Sequence, residues 1–456
     1  MAASPRPAVG GGSPAPGPLR VRVLTWEGPP GTPVDRRLSP GELGLQLDRL
    51  PRGARASLGP GRPAPLPHLR VLPRGARSLT LLGSAETLRS LPGAWERAPR
   101  PLALLAGPVG RALANFFSEA PRPWRLAHGR ALTVGAVPRI MGVVNVTPDS
   151  FFDGGRLRSP DEAAAYARSL ASQGADLLDV GGESTRPGAR PLSPSQELRR
   201  VLPVIERLAR TSETLLSVDT RHAEVARQAL RAGAHVVNDV GGFRDPALRR
   251  VVRREEAGAV VMHMRGTPRT MQRDVRYRDL RAEVYAFLED RTRLAEDEGI
   301  PPEALVVDPG LGFGKSFPGT WELLGHVREF RALGYPVLVG ASRKGFLGAL
   351  LGGAPPAERL EVSVAAALLA VERGAAVVRV HDVGPTARAL RVLHALRPGP
   401  AGAGPPGVGG SGAGSSGASK GPARAGSPAR GPPSPRRPRP GRPGPGPGSR
   451  SPREAP

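Results

Sequence analysis

Acidic and amide side chains follow short apolar runs in the middle of this 456-residue chain. Asp219 ends one run, Asn238 lies inside the next, and Asp308 closes a third. These side chains supply carboxylate acceptors and one amide, which suit a flat heterocycle that bears several N–H donors and a carbonyl. We therefore expect such a ring to bind where these runs end.

Basic and imidazole side chains follow other runs. They are Arg186, Lys344, Arg379 and His381. Positive charge here is appropriate to a diphosphate whose departure must be stabilised, and Asn145 can offer an oxygen ligand to Mg²⁺ that the phosphates mostly hold. The sequence contains no Cys, which excludes disulfides, thiolate metal sites and cysteine nucleophiles, and it shows neither zinc-ligand spacing nor a nucleophilic-serine elbow.

Eight short runs rich in β-branched residues predict the strands that position these side chains. They span residues 140–146, 177–180, 215–218, 236–240, 259–262, 305–307, 337–339 and 377–380. Each is followed by a segment that can be helical, and the runs lack the alternation of half-exposed strands. Eight βα units predict an α/β fold, a (β/α)8 TIM barrel, whose ligands bind at the C-terminal ends of the strands. A doubly wound open sheet is the competing arrangement, but it would normally use fewer strands and show a phosphate fingerprint after the first.

Capping residues mark the start of two helices. Ser159 with Glu162, and Ser193 with Gln196, form the pattern of a capping box. Later helices are predicted at residues 223–232, 245–256, 280–298, 320–333, 357–373 and 385–396.

The two ends of the chain differ from this middle region. We expect a small α/β extension at residues 1–130, with a strand at 19–24 and a strand, turn and helix at 76–91. The catalytic barrel is expected at 131–398, and a disordered Gly-, Pro- and Arg-rich tail at 399–456. The tail has nine basic residues and one acidic residue, so it holds +8 of the formal net charge of +25. A solvated appendage is favoured over a nucleic-acid arm. No signal peptide or membrane-spanning run occurs, so a cytoplasmic protein is expected.

Some of these polar residues also have purely structural explanations. Asp179 and Asp239 can hydrogen-bond loop backbone without meeting a ligand. His263, which lies between two methionines, is better explained as a core residue than as a metal ligand. Asp382 can cap the following helix, and residues 312–315 (GFGK) imitate a phosphate loop with the wrong spacing.

Longer motifs connect these residues to a known family. MGVVNVTPDSFFDGG at 141–155 and GADLLDVGGESTRPGA at 174–189 resemble the two signature segments of dihydropteroate synthases, and SVDT, NDV, VMHMRGTPRTMQ, DPGLGFGK, GASRKGF and RVHDV follow in that family's order. The resemblance covers about residues 121–396. It implies a transferase of folate biosynthesis, a target of sulfonamides, that joins 6-hydroxymethyl-7,8-dihydropterin pyrophosphate to 4-aminobenzoate and releases pyrophosphate.

The resemblance also implies a role for each site residue. Those that would hold the pterin are Asp219, Asn238, Asp308 and Lys344, with Met262 and Arg379 packed against its faces. Those that would meet the pyrophosphate are Asn145, Arg186, Arg379 and His381, with Mg²⁺ at Asn145. Those that would surround the aminobenzoate are Thr185, Arg186, Pro187, Phe313, Ser342 and Arg343. We count Asp219, Asp308, Lys344, Arg379 and His381 as catalytic and place Asp179 among the substrate-binding residues. Gly345 departs from the family, since many relatives carry a bulky or basic residue there.

The resemblance further implies Mg²⁺ as the cofactor and a homodimer without a membrane, whereas nucleic-acid contact through the tail is the less favoured alternative. Two other functions compete. A pterin-binding methyltransferase domain on a similar barrel would not need Thr185, Arg186, Pro187 or the Asn145 loop. A catalytically silent protein recruited to RNA by its tail would not need an intact set of polar loop residues.

Overall fold

The computed structural model describes residues 18–25, 42–51, 53–58, 68–135, 137–147, 159–186 and 188–396, all within a single structural unit. The predicted tail, Pro187 and residues 148–158 lie outside the described residues. No helix among the described residues is long and apolar enough to cross a membrane. The domain boundary at residue 130 stays a prediction.

The N-terminal extension forms a four-stranded antiparallel sheet packed against helices. Its elements are β1 (Arg20–Thr25), β2 (Glu42–Asp48), α1 (Ala54–Leu58), β3 (Arg70–Gly75), β4 (Ser78–Ser84), α2 (Ala85–Glu96) and α3 (Arg100–Phe117). The strand order is β1-β2-β4-β3. Ser84 ends β4 and caps α2, because its hydroxyl accepts a hydrogen bond from the backbone N–H of Thr87 over 3.1 Å. The strand predicted at 19–24 and the strand and helix predicted at 76–91 are confirmed, but α2 follows β4 directly, without the predicted turn.

Buried polar contacts join the extension to the barrel. The Tyr285 hydroxyl donates to the Val21 carbonyl over 2.8 Å, and the Thr25 backbone N–H donates to the Glu329 carboxylate over 3.0 Å. Arg281, which is fully enclosed, pairs with the same carboxylate over 2.6 Å. A buried ion pair adds little net stability, but separating its partners leaves an uncompensated charge. These contacts therefore fix the position of the extension on the barrel.

Eight parallel strands form the barrel, preceded by the hairpin of β5 (Arg122–Arg125) and β6 (Ala131–Val134). The barrel strands are β7 (Arg139–Asn145), β8 (Leu177–Gly181), β9 (Leu215–Asp219), β10 (Val236–Asp239), β11 (Gly258–Met262), β12 (Leu305–Asp308), β13 (Leu338–Val339) and β14 (Val377–Val380). Strands β7 to β12 pair in sequence, β14 and β13 continue from β7, and a parallel bridge between Val307 and Val337 closes the cylinder. Each predicted strand is observed to within one residue at either end, so the TIM barrel is confirmed.

Helices follow the strands on the outside of the barrel. They are α4 (Pro160–Ser172), α5 (Pro194–Thr211), α6 (Ala223–Arg231), α7 (Pro246–Arg254), α8 (Leu280–Asp297), α9 (Phe317–Gly325), α10 (Gly345–Leu350), α11 (Leu360–Glu372) and α12 (Val383–Leu396). Both predicted capping boxes form, at Ser159 with Glu162 and at Ser193 with Gln196.

Two predicted helices differ from the observed ones. The helix expected at 320–333 is split into α9, which Ser316 caps, and a 3₁₀ helix at Val327–Leu333. This 3₁₀ segment packs against β1 and α3 and carries Glu329, so contacts with the extension override the local preference. The helix expected at 357–373 begins only at Leu360, after a proline-initiated 3₁₀ turn.

Alternate strand residues point into the barrel and form layers. We define the lower layer as Met141, Leu177, Leu215, Val236, Val260, Val306, Leu338 and Val377, which pack into one apolar cluster. The hairpin closes this end of the barrel with buried Trp124, Leu126 and Val134. Two residues further along each strand lies the upper layer, which we define as Val143, Asp179, Ser217, Asn238, Met262, Asp308, Gly340 and Arg379. The barrel interior therefore changes from apolar to polar within one strand period.

Candidate active site

The upper layer is organised around the carboxylate of Asp179, which is fully enclosed. Its Oδ1 accepts a hydrogen bond from the Ser217 hydroxyl over 2.5 Å, and its Oδ2 accepts from the Asn238 amide over 2.9 Å and from Arg379 Nε over 2.6 Å. Arg379 Nη2 also donates to Asp219 Oδ2 over 2.8 Å. Both oxygens of Asp179 are thus used by protein donors. Asp179 therefore positions Asn238 and Arg379, and its expected place among the substrate-binding residues stays a prediction.

Two further carboxylates and one ammonium group face the mouth of the barrel. Burial raises the pKa of Asp219 to about 7, against the opposing effect of the Arg379 guanidinium. Burial also raises the pKa of Asp308, against the opposing charge of Lys344. The pKa of Lys344 is lowered to about 8 by burial, and its Nζ donates to the Leu311 carbonyl over 2.7 Å. Poorly solvated groups of this kind interact strongly with a ligand's N–H donors and with developing charge.

An apolar wall lies beside these polar groups. Met262 is buried and packs with Val240, Met264 and Met271, and the Phe313 ring packs against this cluster. Lys344 Nζ lies 4.5 Å from the centre of the Phe313 ring. The site therefore combines an apolar face with a row of acceptors, an arrangement that suits a planar heterocycle.

At the rim of the barrel, Ser342 and His381 contact each other, since the Ser342 Oγ lies 3.1 Å from His381 Nδ1 and accepts the His381 backbone N–H over 3.2 Å. Burial and the neighbouring Arg379 lower the pKa of His381 to about 3. His381 is therefore a neutral hydrogen-bonding group at pH 7, not the cation that the sequence analysis expected.

Arg343 next to Ser342 has a strained backbone. Its φ of 57° lies in the left-handed region, which is uncommon for non-glycine residues. Its Nε donates to Asp382 Oδ2 over 2.8 Å, so the Asp382 carboxylate pairs with Arg343. The Ser342–Arg343 turn is thus held in one shape by contacts on both sides.

Asn145 and the loop after β8 lie at the same end of the barrel. Asn145 ends β7 beside Gly181 of β8, and no described residue hydrogen-bonds its side-chain amide. Thr185 is half-buried and Arg186 is exposed, whereas Pro187 lies outside the described residues. The uncommitted amide oxygen of Asn145 suits an Mg²⁺ ligand.

Lys315 has a structural role. Its Nζ is buried and donates to the Pro309 and Gly310 carbonyls over 2.8 Å each, and it lies 2.7 Å from His263 Nδ1. Burial lowers the pKa of Lys315 well below its usual value and that of His263 to about 2. Gly310 is required because its φ is 67° and a Cβ there would lie 2.0 Å from the His263 carbonyl oxygen. The GFGK segment thus stabilises the turn after Asp308 and does not form a phosphate loop. His263 is confirmed as a core residue.

Asp239 and Ser217 also hold other groups of the site in place. The Asp239 carboxylate accepts the backbone N–H groups of Gly241 over 2.6 Å and Phe243 over 2.7 Å, as the structural explanation expected. Ser217 was not predicted as a site residue. Its position two residues after Leu215, on the inward face of β9, is the signal that would have found it.

Comparison with known proteins identifies the family. A family model described as pterin binding enzyme matches residues 141–381. The dihydropteroate synthase of Escherichia coli strain K12 is 43% identical over 258 residues, which are 57% of this chain and 91% of that relative. The chain belongs to the dihydropteroate synthase family. A probable bifunctional folylpolyglutamate synthase/dihydropteroate synthase of Halobacterium salinarum is 51% identical over 260 residues, but the chain covers only 32% of that relative.

Solved structures of dihydropteroate synthases match the barrel. That of Xanthomonas albilineans with 4-aminobenzoic acid is 48% identical, with a TM-score of 0.57, and the match covers 61% of this chain and 100% of that one. That of Burkholderia cenocepacia complexed with 7,8-dihydropteroate is 44% identical, with a TM-score of 0.55, and the match covers 60% of this chain and 96% of that one. The predicted fold, transferase class and dihydropteroate synthase activity are confirmed.

Proposed function

We propose that this dihydropteroate synthase binds the pterin ring of its pyrophosphate substrate between the apolar wall at Met262 and the carboxylates at the barrel mouth. Asp219, Asn238 and Asp308 would accept the N–H groups of the ring, and Lys344 would donate to its carbonyl. The observation that carries this proposal is the hydrogen-bonded series Asn238–Asp179–Arg379–Asp219. Because the Asn238 amide NH₂ is used by Asp179, its oxygen is left to accept from a ligand.

The diphosphate would extend from the ring toward the rim, where Arg186, Arg379 and His381 lie. Arg379 uses Nε and Nη2 for the two aspartates, and its Nη1 donates to no described residue, which supports a contact with a phosphate oxygen. His381 would become more basic beside this negative charge. Mg²⁺ held by Asn145 and the phosphates would supply further neutralisation of the leaving group.

The aminobenzoate would lie further out than the pterin, among residues of three loops. These residues are Thr185, Arg186, Pro187, Phe313, Ser342 and Arg343. The fixed Ser342–Arg343 turn supports this placement, because a rigid turn holds backbone and hydroxyl groups ready for a small ligand. The Arg186 side chain, exposed at the mouth, would close over the second substrate.

We infer that the C–O bond to the diphosphate breaks before the new C–N bond forms. An aromatic amine is a weak nucleophile, and the carboxylates of Asp219 and Asp308 are already assigned to the N–H groups of the ring, so neither is left to activate the amine. Catalysis would therefore rely on the electrophile: the bonding electron pair leaves with the pyrophosphate, and Asp219 and Asp308 stabilise the pterin cation. The amine then attacks this cation and loses its proton to water.

We further propose that the enzyme is a cytoplasmic homodimer and a target of sulfonamides, in line with the family resemblance. Nucleic-acid contact through the basic tail remains the less favoured alternative, since the tail holds only +8 of the net charge of +25.

A turnover assay tests the proposed reaction. The protein is mixed with the pterin pyrophosphate, 4-aminobenzoate and Mg²⁺, and both products are quantified. We expect dihydropteroate and pyrophosphate in equal amounts, with a slower reaction after chelation of Mg²⁺. Methyl transfer from methyltetrahydrofolate to a corrinoid without pyrophosphate release would instead support the methyltransferase.

A further inference from the structure

Glu183, Glu197 and His222 bring three metal-ligating groups together beside the proposed substrate site. One ligand atom from each residue lies within 4.8 Å of the other two. Glu183 belongs to the loop after β8, Glu197 lies near the start of α5, and His222 is the residue that precedes α6. The reaction proposed above assigns no role to any of them.

Glu197 has an incomplete set of partners. Its side chain is fully enclosed, and its Oε2 lies 2.6 Å from His222 Nδ1. Its Oε1 is buried and has no hydrogen-bond partner among the described residues. A buried carboxylate oxygen without a donor is unfavourable, and a bound cation would remove this penalty.

A small cavity adjoins this carboxylate. It has about 10 Å³ of internal space, and its lining includes Glu183 and Glu197 together with Thr185 and Asp219 of the proposed substrate site. That space is about enough for one water-sized species. The cavity therefore has room for a single ion beside Glu197.

We propose that Glu183, Glu197 and His222 bind a divalent transition-metal ion, and that the ion is Zn²⁺. Two carboxylate oxygens and one imidazole nitrogen, with a fourth position open to water, form a ligand set that Zn²⁺ accepts, whereas Mg²⁺ prefers oxygen ligands alone. His222 would bind the ion through Nδ1, which would give up its present 2.6 Å contact with Glu197 Oε2 for the metal.

Arg221 is compatible with this site. Its Nη2 lies 3.1 Å from Glu183 Oε1 and 3.5 Å from Oε2. The guanidinium can therefore keep one oxygen of Glu183 while the other turns to the ion. The bound ion would tie the β8 loop, which carries Thr185 and Arg186, to the first turns of α5 and α6. Metal binding requires neither substrate, so its test does not depend on the proposed reaction.

Isothermal titration of the full chain with Zn²⁺, in a buffer that contains excess Mg²⁺, tests the site. We expect one tightly bound Zn²⁺ per chain. The variants His222→Ala and Glu197→Gln should weaken this binding by roughly a hundredfold or more, since loss of a direct ligand exceeds the usual effect of an outer-shell change. Co²⁺ bound at the same site should give visible absorption that His222→Ala abolishes.

Matched controls remove the same groups elsewhere. His394→Ala removes an exposed imidazole of α12, and Glu224→Gln removes an exposed carboxylate of α6; both variants should keep the bound Zn²⁺. His222 is partly exposed, so its variant should fold even if Glu197→Gln does not. Absence of Zn²⁺ binding in the unmodified protein, or full binding in His222→Ala, would overturn the proposal and leave Glu197 and His222 as a simple hydrogen-bonded pair.

Discussion

The lower and upper layers of the barrel are built by the same eight strands, two residues apart, yet their chemistry is opposite. The lower layer packs apolar side chains such as Leu177 onto the hairpin residue Trp124. The upper layer joins Asp179, Asn238 and Arg379 by hydrogen bonds. Because residues two apart on a strand face the barrel interior at successive heights, one strand can contribute to the core below and to the site above. Stability and catalysis should therefore be separable by substitutions only two residues apart.

The largest effect on stability should come from the lower layer. Leu177→Ala removes a fully buried side chain, and we expect a loss of about 2–5 kcal/mol in the free energy of unfolding. Urea unfolding measures this loss. The kcat/KM of the remaining folded protein should be unchanged, and a tenfold fall in that value would show that the two layers are coupled.

Substitutions of Lys344 and Lys315 should separate ligand binding from stability. Lys344→Ala should weaken binding of the pterin pyrophosphate by roughly ten- to a hundredfold, as expected for the loss of about 1.5–3 kcal/mol from a charged hydrogen bond, with little change in Tm. Lys315→Ala should lower Tm clearly, because its Nζ holds the Pro309 and Gly310 carbonyls. Ligand-binding calorimetry and thermal unfolding of both variants measure this contrast. A Lys344→Ala protein that binds normally but melts early would reverse the two roles.

Acid should destabilise the fold partly through His263. Burial lowers its pKa in the folded protein to about 2, below the ordinary 6.5, so the unfolded chain binds the proton first as the pH falls. The contribution of neutral His263 to the free energy of unfolding is therefore complete above pH 6.5. It is lost progressively toward pH 2, by about 1.4 kcal/mol per pH unit. Urea unfolding at several pH values should give a shallower slope for His263→Gln. An unchanged slope would assign the acid sensitivity to other groups.

The smallest effect should come from removal of the tail. A chain that ends at Pro398 should keep its turnover, since every proposed catalytic group lies in the barrel. Any salt-sensitive association with RNA or DNA should disappear with the tail's positive charge. Filter binding at two salt concentrations, together with the turnover assay, checks both expectations. Nucleic-acid binding that persists in the shortened chain would locate the basic site on the barrel or the extension.

The sequence predicted the strands and the polar residues that follow them, but it predicted few of the contacts among those residues. The strands were readable because buried parallel strands are continuous apolar runs, and polar residues such as Asp219 and Asp308 follow them directly. The role of Asp179 was not readable, because it depends on donors from three other strands. The neutral state of His381 and the splitting of the helix near Glu329 likewise arise from tertiary burial and from contacts with the extension.

The order of bond changes is the central claim about the candidate active site, and positional isotope exchange tests it most directly. The pterin pyrophosphate is labelled with ¹⁸O in the bridge to carbon and incubated with enzyme and Mg²⁺ without 4-aminobenzoate. If Asp219 stabilises a pterin cation, the label should scramble and some pyrophosphate should be released. Asp219→Asn should slow both processes by roughly a hundredfold, the loss of about 3 kcal/mol of electrostatic stabilisation. No scrambling and no release in the unmodified enzyme until the amine is added would contradict the stepwise mechanism and indicate concerted displacement.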